Sequence, residues 1–135
     1  MTDEERRAAV VQELRHAVLA MKAARILRDA GLDNDSLSRL YYAMFHTLTA
    51  LLLTGGVEPR RHRALPGLLG THFGHVVGPA DIVVVSRAAT YRDLADYERT
   101  WNATPEIVAD AFATIEPLLE RVNAHLAREG WSAPG

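Results

Sequence analysis

The segment from Leu40 to Leu53 is apolar at almost every position, and His46 is its only side chain that titrates near neutral pH. A transmembrane helix needs roughly 20 consecutive apolar residues, so this segment is too short to cross a bilayer. A helix that is apolar on nearly every side is buried among other elements of a globular fold. The segment therefore predicts the central helix of a bundle, which we expect to run to Thr54 and to end at Gly55 and Gly56.

The segment that precedes the central helix also has a helical pattern. Apolar side chains at three- and four-residue steps predict a first helix from Asp3 to Ala30, with Gly31 as its end. One face of this helix is expected to pack against the core, and the other to face solvent. The short turn that follows offers Asn34, Asp35 or Ser36 as the N-cap of the central helix.

Prolines and glycines divide the second half of the chain. They predict a loop that leads into a short helix near Leu65 to Phe73, and Pro79 then opens a longer helix. The β-branched run from Ile82 to Val85 favours a strand by local propensity, but no partner strand is visible and the run continues into helical composition. The last helix starts at Thr104, and Pro117 within it is expected to bend its axis.

Length and composition restrict the class of protein. A chain of 135 residues fits one domain, and the segments above predict an all-α, up-and-down bundle of four main helices plus a short extra helix over residues 1–130, with a loose tail at 131–135. The net charge of -2 argues against binding nucleic acid by bulk charge, so any such contact must be local. The absence of cysteine excludes disulfides and thiolate zinc sites. Since the N-terminus lacks the order of a secretory signal, we expect a cytoplasmic protein with no membrane association.

A cation and an imidazole interrupt the apolar central helix. Arg39 and His46 lie two turns apart on one helix face, roughly 10 Å along the axis. They could border one groove. They could equally be structural residues, with Arg39 exposed near the helix start and His46 as a hydrogen-bonded core imidazole.

A second polar group lies in the helix predicted from Pro79. Arg92, Asp93, Asp96 and Tyr97 occupy less than two turns, and aromatic rings flank them on both sides. Arg92 and Asp96 have the spacing of a common ion pair on a helix surface. The neighbouring rings also offer a place where a partner or a nucleic-acid base could stack.

A third polar group lies in the loop before the short helix. Arg60, Arg61, His62 and Arg63 follow one another there and could hold phosphates by bidentate contacts, or could be plain solvated surface.

Histidines elsewhere in the sequence raise the possibility of a metal site. His62, His72 and His75 lie in one region, but no acidic residue stands beside the pair His72 and His75. Neither a glycine-rich phosphate loop nor a serine in a nucleophile-elbow context occurs in the chain. We therefore expect no metal and no other cofactor.

The order of these features resembles the HEPN domain family of bacteria and archaea. The most specific parts of the resemblance are SRLYYAMFH at residues 38–46 and RDLADY at residues 92–97, and it covers nearly the whole chain. The resemblance implies a helical bundle that forms a homodimer, found in toxin-antitoxin systems and often encoded beside a small nucleotidyltransferase. It also implies that active members are metal-independent ribonucleases.

The family's ribonuclease motif is an arginine, commonly followed by a polar residue, with a histidine a few residues further on. Arg92 and Asp93 match its first part, but Tyr97 stands where a histidine is expected, and no histidine occurs between Tyr91 and Trp101. A tyrosine with an ordinary pKa near 10 is a poor base at neutral pH. The resemblance also raises the possibility that an antitoxin modifies Tyr97.

Three functions follow from the residues and the resemblance. The first is a dimeric RNA- or nucleotide-binding or partner module of a toxin-antitoxin or nucleotidyltransferase-linked system, without cleavage activity of its own. Its binding residues would be Arg39, Tyr42, Arg60, Arg61, His62, Arg63 and Asp96. The second is a metal-independent ribonuclease toxin that uses Arg92 and Asp93, with His46, His62 or Tyr97 as the base. The third is a purely structural oligomer.

Overall fold

The computed structural model describes residues 1–131, and these residues form a helical bundle. The helices are α1 (Asp3–Asp29), α2 (Asp33–Thr54), α3 (Leu65–Phe73), α4 (Pro79–Tyr97) and α5 (Pro105–Arg128), with a 3₁₀ turn (His62–Ala64) before α3. This arrangement confirms the predicted fold class of four long helices and a short one. The β-branched run at residues 82–85 is part of α4, as the sequence predicts.

The α2 helix lies at the centre of the bundle and contacts α1, α3, α4 and α5. Large side chains along its whole length are almost completely buried, among them Leu40, Tyr41, Met44, Leu48, Leu51 and Leu52. Burial of each such side chain contributes roughly 1.5–3 kcal/mol, so α2 supplies a large part of the hydrophobic stabilisation. The predicted central helix is confirmed.

No helix within residues 1–131 combines the length and the apolar character that a membrane span requires.

The ends of the helices follow local rules, with one exception. Gly31 adopts a φ of 76°, a conformation that favours glycine, and it follows α1 as predicted. The N-cap of α2 is Leu32, which provides no side-chain cap. The prediction that a residue at 34–36 caps α2 is therefore wrong, because α2 already starts at Asp33 and Ser36 lies within it, where its Oγ donates a hydrogen bond to the carbonyl of Ala24 at 2.8 Å.

Asn34 connects the start of α2 to the loop between α4 and α5. Its Nδ2 donates to the carbonyl oxygen of Trp101 at 3.2 Å, and its Oδ1 accepts from the backbone N–H of Ala103 at 2.8 Å. The ring of Trp101 also stacks on Tyr91 of α4, with centroids 6.2 Å apart. These contacts fix the C-terminal half of α4, which carries the candidate site, against the start of α2.

The last helix begins as predicted, since the Thr104 side chain accepts a hydrogen bond from the N–H of Ile107 at 3.2 Å. The α5 helix continues through Pro117. Trp131 packs partly buried against the core, and the guanidinium of Arg7 lies 4.6 Å from its ring centre. The rest of the predicted loose tail, residues 132–135, lies outside the described residues.

Candidate functional site

The Arg92 guanidinium lies among the rings of three tyrosines. Its Cζ is 5.0 Å from the ring centre of Tyr41, 5.8 Å from that of Tyr42 and 5.9 Å from that of Tyr97. Only 13% of the Arg92 side chain is exposed. Cation–π contacts of this kind attract the charge to the ring faces but supply no hydrogen-bond acceptors.

Few acceptors compensate the charge of Arg92. Its Nε is 3.8 Å from Oδ1 of Asp93, which is an ion pair but too long for a hydrogen bond, and Nη1 donates to the Tyr97 hydroxyl at 3.5 Å, the long limit for such a bond. Among the described residues, Nε has no hydrogen-bond partner. A largely buried cation with so little compensation is a candidate site for an anionic ligand.

The ion pair suggested by the spacing of Arg92 and Asp96 does not form within residues 1–131. The Asp96 carboxylate instead accepts a hydrogen bond from the Ser38 hydroxyl at 3.3 Å. Asp96 therefore helps to hold α4 against α2, which leaves the Arg92 guanidinium without that carboxylate.

His62 is held beside the tyrosines by two contacts. Its Nδ1 is 2.8 Å from the Tyr41 hydroxyl oxygen, and its ring stacks on Phe45 with centroids 4.0 Å apart and planes 7° apart. Burial and the nearby charge of Arg92 lower the pKa of His62, so the imidazole is neutral at pH 7. Burial raises the pKa of Tyr41 to about 12 although Arg92 opposes this shift, so its hydroxyl stays protonated.

These side chains line one cavity of about 420 Å³, which we call the Arg92 cavity. The residues that line it include Tyr41, His62, Arg63, Arg92, Asp93 and Tyr97. The cavity combines a fixed cation with a neutral imidazole and with Tyr97, a residue that is 71% exposed. Cations of this kind bind phosphate, and exposed aromatic rings stack on bases.

Arg39 and His46 line a different cavity, of about 410 Å³, together with Tyr42 and His16. Arg39 is exposed, and its Cζ lies 6.0 Å from the Tyr42 ring centre. The Nδ1 of His46 is 2.6 Å from Oε2 of Glu13, so the imidazole is hydrogen-bonded, but its side chain is 23% exposed and is not a core residue. The structure does not place His46 in the Arg92 cavity.

Other predicted binding residues differ in position. Arg60 and Arg61 are exposed in the loop before α3 and lie outside the lining of the Arg92 cavity, whereas Arg63 lies within it. Sequence reasoning missed Tyr41 and Phe45 as members of the site. The two residues are one helical turn apart, which indicates that they share a face of α2. The sequence does not show which element packs against that face.

The helical bundle is the fold that the resemblance to the HEPN domain family implies. The HEPN domain model matches residues 11–125, and the chain belongs to the HEPN domain family.

Three relatives show how far the similarity extends. The UPF0332 protein PH1297 of Pyrococcus horikoshii is 43% identical over 53 residues, which cover 39% of this chain and 37% of that protein. "Putative toxin MJ0605" of Methanocaldococcus jannaschii is 30% identical over 108 residues, covering 78% of this chain and 80% of that protein. The UPF0332 protein glr0978 of Gloeobacter violaceus is 36% identical over 59% of this chain and 58% of its own length. The match to the Pyrococcus protein thus spans little more than a third of that protein.

Proposed function

We propose that this HEPN protein belongs to a toxin-antitoxin system and binds single-stranded RNA through a phosphate held by Arg92. The observation that carries the proposal is the largely buried guanidinium of Arg92, whose Nε has no hydrogen-bond partner among the described residues. Guanidinium groups match phosphate oxygens with two parallel hydrogen bonds. The similarity to the Methanocaldococcus protein named "Putative toxin MJ0605" supports the link to toxin-antitoxin systems.

The residues around Arg92 suit a single strand. The exposed ring of Tyr97 provides a stacking surface for a base next to the bound phosphate. Arg63, on the same cavity, supplies a second cation for the neighbouring phosphate. This arrangement fits the net charge of -2, because the cations act at one site and not over the whole surface.

The test is binding of a fluorescently labelled single-stranded RNA, measured by anisotropy in EDTA. We expect Arg92→Gln to weaken binding by at least tenfold, since hydrogen bonds to a charged group contribute about 1.5–3 kcal/mol. The matched control is Arg87→Gln, an exposed arginine on the same helix. Equal affinities of wild type and Arg92→Gln, with both proteins folded by circular dichroism, would overturn the proposal.

A second candidate function is RNA cleavage, and the position of His62 favours it. His62 shares the cavity with Arg92 and is neutral at pH 7, as a general base must be. In the tautomer in which Nδ1–H of His62 donates a hydrogen bond to the Tyr41 oxygen, Nε2 of His62 is free to accept the proton of a ribose 2′-hydroxyl. The 2′-oxygen would then bond to phosphorus as the bond to the 5′-oxygen breaks, and Arg92 would stabilise the charged intermediate. The proton would pass to the leaving 5′-oxygen.

Cleavage of end-labelled RNA in EDTA separates the two candidates. A ribonuclease would lose cleavage in both Arg92→Gln and His62→Gln, whereas His72→Gln, an exposed histidine of α3, would cleave like wild type. Cleavage that survives in His62→Gln would exclude His62 as the base. No cleavage by folded wild type that still binds RNA would support the binding function alone.

The homodimer and the nucleotidyltransferase partner belong to the same proposal, and the resemblance to the HEPN domain family supports both. Light scattering after size exclusion should give twice the mass of 14.9 kDa at micromolar concentration. A monomer under those conditions would contradict the dimer.

A further inference from the structure

A second group of titratable side chains connects α1 and α2. Glu13 and His16 lie one turn apart on the same face of α1, and His46 faces them from α2. Each residue offers one ligand atom, and these atoms all lie within 4.8 Å of one another. The rings of His16 and His46 have centroids 5.1 Å apart in an edge-to-face arrangement.

We propose that Glu13, His16 and His46 form a binding site for a divalent transition metal such as Zn²⁺. Two imidazoles and one carboxylate are the donor set of zinc sites that keep a position open for water or another ligand. Magnesium and calcium prefer oxygen ligands alone, so the two imidazoles favour zinc over both.

The geometry needs only small movements to hold the ion. Ligand atoms about 2.0–2.1 Å from a tetrahedral zinc are separated from one another by roughly 3.4 Å. The Glu13 and His46 atoms that now form a hydrogen bond are 2.6 Å apart, and the widest separation in the group is below 4.8 Å. None of these side chains is fully buried, so each is free to rotate towards the required spacing.

The surroundings of the group fit an open metal site. His16 and His46 line the cavity of about 410 Å³, which leaves room for a fourth ligand. Arg39 lines the same cavity and can pair with an anionic oxygen bound to the metal. The side-chain nitrogen of Gln12 lies 3.0 Å from Nε2 of His16. Rotating this amide by half a turn would place its oxygen there to accept a hydrogen bond from Nε2–H, which leaves Nδ1 of His16 to bind the metal. Arg92 does not line this cavity.

The test uses untagged protein that has been treated with a chelator and then freed of it. Calorimetric titration with Zn²⁺ should show one saturable equivalent, and Zn²⁺ in excess should raise the Tm by several degrees. Magnesium should do neither. We expect His16→Gln to weaken Zn²⁺ binding at least tenfold, and because His16 is exposed this variant should fold.

A matched control separates this site from incidental zinc binding by surface histidines. His72→Gln removes an exposed histidine of α3 and should bind Zn²⁺ like wild type. Glu13→Gln, which keeps the shape of the side chain, should weaken binding as His16→Gln does. Absence of saturable binding, or equal binding by wild type and His16→Gln, would overturn the site and leave Glu13 and His46 as a hydrogen-bonded pair that joins two helices.

Discussion

The hydroxyl of Tyr41 lies 2.8 Å from Nδ1 of His62, so a buried residue of the central helix positions a histidine of the Arg92 cavity. Tyr41 is 2% exposed, and its ring cannot move without disturbing the core. Phe45, also on α2, stacks on the His62 imidazole. The orientation of His62 is therefore set by α2, although His62 itself lies in the turn before α3.

We expect Tyr41→Phe to lower the free energy of unfolding by about 1 kcal/mol. The substitution keeps the ring but removes the hydroxyl, and a typical intramolecular hydrogen bond contributes about 0.5–1.5 kcal/mol. Urea denaturation measures the change. Tyr42→Phe is the control, because Tyr42 is only partly buried. An equal decrease of the unfolding free energy in the two variants would show that the hydrogen bond between Tyr41 and His62 does not stabilise the fold.

The lowered pKa of His62 predicts a pH dependence of stability. Burial, followed by the charge of Arg92, lowers the pKa in the folded state, so below about pH 6.5 the unfolded chain takes up the proton first. The contribution of neutral His62 is thus present above pH 6.5 and is lost as the pH falls towards the folded-state pKa. The unfolding free energy of wild type minus that of His62→Gln should therefore decrease from pH 7.5 to pH 5.5. An increase over this interval would contradict the assigned shift.

The helices of this chain could be predicted from the sequence because their signals are local. Gly31, Pro79 and Thr104 mark helix ends through backbone preferences and capping that act within one turn. The cap of α2 could not be predicted in this way. Asn34 has the properties of a capping residue, but its side chain bonds to the loop that contains Trp101, far away in the sequence.

The candidate site could be predicted only in part, because its members come from separate elements. The segment around Arg92 and Tyr97 and the basic loop with His62 each indicate candidate residues, but the cavity that these residues share depends on how α3 and α4 pack against α2. Tyr41 was missed because a tyrosine in a buried helix is most often a core residue. Glu13 and His16 were missed although their spacing places two metal-ligand types on one helix face.

Asn34→Ala should destabilise the fold and loosen the end of α4. It removes two hydrogen bonds, to Trp101 and Ala103, which together contribute about 1–3 kcal/mol. Thermal unfolding measures the loss of stability. Amide hydrogen exchange should become faster at Ala103, whose backbone N–H donates a hydrogen bond to Oδ1 of Asn34. Asp35→Ala, at an exposed neighbouring position, is the control and should change the stability little. Unchanged exchange at Ala103 in Asn34→Ala would contradict the role assigned to this side chain.

Tyr97 should contribute to RNA binding through its ring and not through its hydroxyl. Stacking of a base on an aromatic side chain contributes about 1–3 kcal/mol, so Tyr97→Ala should weaken binding roughly 5- to 150-fold. Tyr97→Phe keeps the ring and should bind within about twofold of wild type, because the 3.5 Å bond to Arg92 is weak. Anisotropy with the same labelled RNA measures both variants. Equal losses in Tyr97→Phe and Tyr97→Ala would instead assign the contribution to the hydroxyl.

The salt dependence of RNA binding should distinguish the arginines of the basic loop. Affinity falls as salt rises, and each phosphate contact to a single strand adds about 0.7 to the magnitude of the negative slope of log affinity against log salt concentration. Arg63 lines the Arg92 cavity, so Arg63→Ala should reduce the magnitude of this slope by about 0.7. Arg61 is exposed outside that lining, so Arg61→Ala should leave the slope almost unchanged. Equal decreases in the two variants would mean that the RNA follows the whole loop, and the cavity would then no longer define the binding site.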